Sequence, residues 1–91
     1  MTLENLALII ESVTGADPLR LTRKRAVVDA RTLLVHAYRV QGRTEQQIAD
    51  DIGYSRAAVH HYCALFSDAE EYNNNPALLR NWSRLKSVLD L

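Results

Sequence analysis

Apolar residues recur three and four positions apart throughout the chain, and no segment alternates apolar and polar residues as a strand would. This pattern is interrupted at Gly15, Gly42 and Gly53 and before Pro76, and glycine and proline commonly end or begin helices. With 91 residues, the chain has room for a single core. The sequence therefore predicts an all-α fold, a compact bundle of about five helices forming one domain over residues 1–91.

Side chains with capping chemistry mark the expected helix ends. The expected caps are, in chain order, Thr22, Thr44, Ser55 and Asn75. The helices are expected over residues 3–13, 23–40 and 45–52, from 55 onwards, and from 76 to the end of the chain. Thr44 and Gln47 have the spacing of a capping box, which supports the short third helix. The fifth helix is expected to present a broad apolar face made of Leu78, Leu79, Trp82, Leu85, Val88 and Leu89.

The third and fourth helices have the spacing of a helix-turn-helix over roughly Glu45 to Ala64. Ala49 is small enough for two helices to cross closely, Gly53 permits a turn with positive φ, and Val59 closes the core between the helices. These are packing requirements, and helical hairpins of this shape also occur in proteins that bind no DNA. The pattern predicts an architecture, and function must be inferred from the residues left exposed.

The exposed face of the fourth helix points to duplex DNA. If Val59 and Phe66 face inward with Tyr62 and Cys63, the outward-facing residues are Ser55, Arg56, Ala57, His60, His61 and Ala64. An arginine can pair with O6 and N7 of guanine in the major groove, and an alanine can contact a thymine methyl group. The alternative is that these are ordinary surface residues.

The charge distribution fits a local phosphate contact. The chain has a formal net charge of zero, which argues against indiscriminate coating of nucleic acid. Between Arg20 and Arg56, however, eight basic residues stand against four acidic ones, and both flanks are acidic. A solvated helix face would explain the same distribution almost as well.

Three segments together resemble a known family. They are Val13-Thr14-Gly15, the run from Arg23 to Arg31, and Ile48 to His61. The chain resembles, over nearly its whole length, the C-terminal DNA-binding domain of the bacterial replication initiator DnaA, a helix-turn-helix domain related to that of the Trp repressor. The resemblance implies that Arg23 lies at or in the minor groove, while Arg25 and Arg31 contact phosphates. A narrow minor groove attracts arginine through its enhanced negative potential.

The chain departs from this family at the turn. The family has a Gly-Gly-Arg-Asp-His-Ser/Thr-Thr-Val signature whose Asp, His and Thr read bases, whereas this chain has Gly-Tyr-Ser-Arg-Ala-Ala-Val over residues 53–59. The resemblance therefore implies DNA binding with a sequence preference different from the family's usual box. No P-loop motif is present, so we expect neither nucleotide binding nor ATP hydrolysis.

The predicted partner is double-stranded DNA, in the regulation of transcription or replication. The predicted DNA-contacting residues are Arg23, Lys24, Arg25, Arg31, Thr44, Gln46, Tyr54, Ser55, Arg56, Ala57, His60 and His61. We expect no catalytic residue and no cofactor. We also expect no metal site, because among His36, His60, His61 and Cys63 only the pair His60 and Cys63 has useful helical spacing.

A second hypothesis is a protein-interaction module that docks onto the replication or transcription machinery. The zero net charge and the missing base-reading signature motivate it. A homodimer is also possible, sharing the apolar stripe of the first helix or the Trp82 face of the fifth. A cytoplasmic protein without membrane attachment is expected, since Cys63 is the single cysteine and no long apolar run occurs. The initial methionine and the unbroken capping pattern favour a complete chain.

Overall fold

The computed structural model describes all 91 residues and contains five α-helices without any strand. The helices are α1 (Leu3–Thr14), α2 (Arg25–Val40), α3 (Glu45–Ile52), α4 (Arg56–Tyr72) and α5 (Pro76–Leu89). The predicted all-α bundle of about five helices is confirmed. None of the five is both long and apolar enough to cross a membrane.

Helix α2 is the centre of the bundle and contacts each of the other four helices. Leu33, Leu34, Val35 and Ala37 of α2 are fully buried. The other helices surround α2 with apolar side chains that are also fully or nearly fully buried, namely Leu6, Ile10, Ile48, Val59, Phe66, Leu78 and Leu85. Burial of apolar area stabilises a domain of this size, and here that burial positions α3 and α4 against one side of α2.

Most of the predicted helix ends are confirmed. The Thr44 hydroxyl accepts a hydrogen bond from the Gln47 N–H at 3.1 Å, and the Gln47 side chain accepts one from the Thr44 N–H at 2.9 Å. The Ser55 hydroxyl accepts from the Ala58 N–H at 3.1 Å, and Asn75 caps α5 by accepting from the N–H of Leu78 at 3.2 Å. Local sequence chemistry therefore determines where α3, α4 and α5 begin.

Two local expectations are wrong. Thr22 does not cap α2, because its hydroxyl accepts a hydrogen bond from the N–H of Lys24 at 3.3 Å, and α2 begins only at Arg25. Lys24 occupies the cap position without a side-chain hydrogen bond, so residues 23 and 24 belong to the preceding loop. On α5, Val88 lies outside the buried face and is 61% exposed.

His36 of α2 lies among aromatic rings in the core. Its ring stacks on Phe66 with centroids 3.5 Å apart and meets the Trp82 ring edge-on at 4.5 Å. Burial disfavours the charged imidazolium and lowers the pKa of His36 from 6.5 to about 4. The ring is therefore neutral at physiological pH and acts as a packing element.

This burial predicts that the protein loses stability as the pH falls below 6.5. The folded pKa lies below the unfolded one, so the unfolded chain binds the proton more readily, and stability falls between pH 6.5 and about 4. After allowance for solvent screening of the part-exposed ring, the loss is about 1–2 kcal/mol. Urea unfolding at several pH values checks this, with His36→Leu as the comparison. If both proteins lose the same stability over this range, the buried histidine does not cause the effect.

Candidate nucleic-acid interface

A three-residue turn, residues 53–55, joins α3 and α4. Gly53 ends α3 with φ of 75°, and its N–H donates to the Ala49 carbonyl at 3.0 Å. Tyr54 donates to the same carbonyl at 3.1 Å, after which Ser55 caps α4. Because a left-handed φ is accessible to glycine without steric cost, Gly53 allows the chain to pass from α3 to α4 within three residues.

The face of α4 that the sequence predicts to be exposed is exposed in the structure. Ser55, Arg56, Ala57, His60, His61 and Ala64 all face solvent. Val59, Tyr62 and Phe66 are buried, and Cys63 is half-buried, where burial raises the pKa of its thiol. The first turn of α4 thus exposes a cation, Arg56, beside the small Ala57.

A surface depression of about 510 Å³, which we call the polar groove, lies between the start of α3 and the start of α4. It is lined by Arg39, Thr44, Glu45, Gln46, Arg56 and His60. Four of these six were predicted as contact residues from the sequence. Arg39, from the last turn of α2, adds a further exposed cation, and its guanidinium donates to the carbonyl of Arg43 at 2.8 Å.

Glu45 contacts two other residues of the polar groove. Its carboxylate lies 3.1 Å from Nδ1 of His60 and 3.9 Å from Nε of Arg56. The hydrogen bond to His60 is the main reason why the pKa of Glu45 is lowered. The Glu45 side chain is 20% exposed, compared with 70% for Arg56, and its carboxylate contacts His60 closely and Arg56 only loosely.

Sequence reasoning missed Glu45 and Arg39 as members of the site. Both belong to helices other than α4, and only the crossing of those helices brings them close to Arg56. No local pattern relates Glu45 to His60, because the two residues are 15 positions apart in the sequence. Arg39 is likewise unmarked, since it is one of several cations in the segment.

A second depression, which we call the tyrosine groove, lies on the other side of the α4 N-terminus. It is lined by Leu21, Thr22, Arg23, Arg31, Tyr54 and Tyr62. The basic loop, residues 20–24, therefore lies beside the turn that carries Tyr54. Arg23 and Tyr54, both predicted contact residues, share this groove although they are far apart in sequence.

The position of Arg31 disagrees with the predicted phosphate contact of this residue. The residue is 4% exposed, and its guanidinium donates to the carbonyls of Pro18 and Arg20 and to the Tyr62 hydroxyl. Its Cζ also lies 5.2 Å from the ring centroid of Tyr54. Because the donors are satisfied inside the protein, Arg31 ties the loop to α4 and is not placed to contact phosphate.

Three further predicted contacts, Lys24, Arg25 and His61, are exposed and lie outside the linings of both grooves. Arg25 is paired with Asp29 at 3.9 Å and lines a third depression, which it shares with Arg23 and Asp68. Lys24 is exposed at the start of α2. His61 is exposed, with its ring 5.7 Å from that of Tyr62. Contact of these three residues with DNA stays a prediction.

The chain was compared with models of protein families, with curated proteins and with solved structures, and none of these comparisons finds a match. The resemblance to the DnaA domain therefore stays a prediction based on the segments that carry it. Function must be inferred from the chemistry of the two grooves that flank α4.

Proposed function

We propose that this chain binds double-stranded DNA sequence-specifically, with the first turns of α4 in the major groove and the basic loop against the adjacent backbone. One observation carries the proposal: the capped start of α4 is exposed between two grooves that both hold cations. Its cellular role in this proposal is the regulation of transcription or replication, as a domain similar to the C-terminal domain of DnaA.

The first turn of α4 offers suitable chemistry for reading bases. Arg56 is 70% exposed, and its pairing with Glu45 at 3.9 Å is loose enough to be exchanged for the O6 and N7 atoms of guanine. Ala57 lets the helix backbone approach the base edges closely, because its side chain is a single methyl group. The helix N-terminus also carries a partial positive charge, which favours a nearby phosphate.

Cations on both sides of α4 supply the contacts that position the protein. Arg39 lies in the polar groove and Arg23 in the tyrosine groove, so the two can reach phosphates on either side of the major groove. Lys24 extends the positive charge along the basic loop. Glu45 repels phosphate, and this repulsion restricts productive binding to alignments in which Arg56 and His60 meet acceptors on the bases.

A selection from a randomised duplex pool at low salt tests this proposal. We expect enrichment of one sequence class containing an essential guanine, and affinity that falls steeply as salt is raised from about 50 to about 200 mM. Arg84→Ala on α5 is the matched control, because it removes an exposed arginine that lines neither groove and should leave selection unchanged.

The pool also distinguishes the alternatives. An inverted repeat among the enriched sequences would indicate that two copies bind as a dimer, whereas a single motif would indicate a monomer. Failure to enrich any sequence above the bulk would contradict specific binding. That outcome would favour the protein-interaction module.

A further inference from the structure

The loop that precedes α2 is a series of tight turns. The Asp17 carboxylate accepts from the N–H of Leu19 at 2.9 Å, and the Asp17 carbonyl accepts from the N–H of Arg20 at 3.3 Å. The Thr22 N–H then donates to the Arg20 carbonyl at 3.0 Å, which closes a three-residue turn around Leu21. Leu21 is thus the central residue of the tightest turn in this loop.

The loop is held from behind by a buried side chain. Nε of Arg31 donates to the Pro18 carbonyl at 3.1 Å, and Nη2 of Arg31 donates to the carbonyl of Arg20, immediately before Leu21. Nη1 of the same guanidinium donates to the Tyr62 hydroxyl on α4 at 3.0 Å. The position of Leu21 relative to α4 is therefore determined by hydrogen bonds to one side chain that contacts both.

Leu21 points outward from this hydrogen-bonded loop. It is 88% exposed, more than any other large apolar side chain of the chain. Isolated exposed leucines are common on protein surfaces and usually need no explanation. This one differs because Arg20, Arg23 and Lys24 lie within three positions of it, all exposed, and because it borders the groove that contains Tyr54.

We propose that Leu21 inserts into the minor groove and partly unstacks one base step next to the site read by α4. Leucine is among the apolar residues that proteins use as wedges between base steps, and the flanking Arg20 and Arg23 supply the charge that attracts the surrounding phosphates. The inference rests on the proposed DNA binding. We expect Leu21 to prefer a flexible pyrimidine–purine step such as TA or CA, because such a step is the least costly to open.

Fluorescence of 2-aminopurine tests the insertion. The base analogue is placed at successive positions of the duplex enriched from the random pool, and its emission rises when it is unstacked. We expect the full chain to raise the emission about two- to fivefold at one step flanking the α4 site, since wedging unstacks a single step. Leu21→Ala should return the emission to that of the free duplex, whereas Leu21→Met should retain most of the rise.

Leu8→Ala is the matched control, because Leu8 is 64% exposed on α1 and should leave both binding and emission unchanged. Binding without any rise in emission, or a rise that persists in Leu21→Ala, would overturn the insertion and leave the proposed DNA binding intact. Absence of binding to any duplex would overturn the proposed function and the insertion with it. Circular dichroism of each variant confirms that the helices are retained.

Discussion

Replacement of Arg31 by alanine should lower the free energy of unfolding by about 3–4 kcal/mol. The guanidinium is buried and donates to two loop carbonyls and to the Tyr62 hydroxyl, and the variant loses all three of these hydrogen bonds. The variant also loses the contacts of the guanidinium with the rings of Tyr54 and Tyr62. We therefore expect the loop before α2 to detach from α4, with loss of stability and of loop order together.

Urea and thermal unfolding measure this effect, and a loss of this size corresponds to a fall in Tm of more than about 12 °C for a domain of this length. Arg23→Ala is the matched control, because Arg23 is exposed on the same loop and its removal should change stability by less than about 0.5 kcal/mol. If Arg31→Ala kept full stability and lost only DNA binding, this result would contradict the structural role of Arg31 and support the phosphate contact that the family resemblance implies.

Arg56→Ala should reduce affinity for the preferred duplex by about 1–3 kcal/mol, which is roughly a 5- to 150-fold weaker Kd. The same change should relax the preference at one guanine, because in the proposed binding mode the guanidinium is the group that pairs with its acceptors. Stability should be almost unaffected, since the pairing with Glu45 is long and exposed.

Fluorescence anisotropy on the enriched duplex and on its single-base variants separates reading of bases from contact with phosphates. Loss of affinity confined to the duplex with the correct guanine would support the assigned role of Arg56. An equal loss on every duplex would show that Arg56 contacts phosphate, and the base reader would then have to be sought elsewhere on α4.

The secondary structure could be predicted from the sequence because its signals are local. The capping box at Thr44, the glycine at position 53 and the cap at Ser55 each act within about one helical turn, and all three predictions are confirmed. The start of α2 was mispredicted because Thr22 forms its hydrogen bond with Lys24. A threonine that caps a helix and one that forms a turn look alike in sequence.

The composition of the candidate site was less predictable because tertiary packing determines it. The run from Arg23 to Arg31 reads as one basic segment, yet Arg23 faces the tyrosine groove, Arg25 pairs with Asp29, and Arg31 is buried. Which cation of such a run is exposed depends on what it packs against. Glu45 joins the site for the same reason, since its neighbours belong to another helix.

In the proposed function, the start of α4 and the basic loop form one surface that binds duplex DNA. The most direct test is titration of ¹⁵N-labelled protein with a duplex of about 20 base pairs, two helical turns, followed by amide chemical shifts. Shifts concentrated at residues 20–24, 44–46 and 54–61, with α5 unchanged, are the predicted result. Shifts confined to α1 or α5, or no shifts at any concentration of duplex at low salt, would contradict the claim.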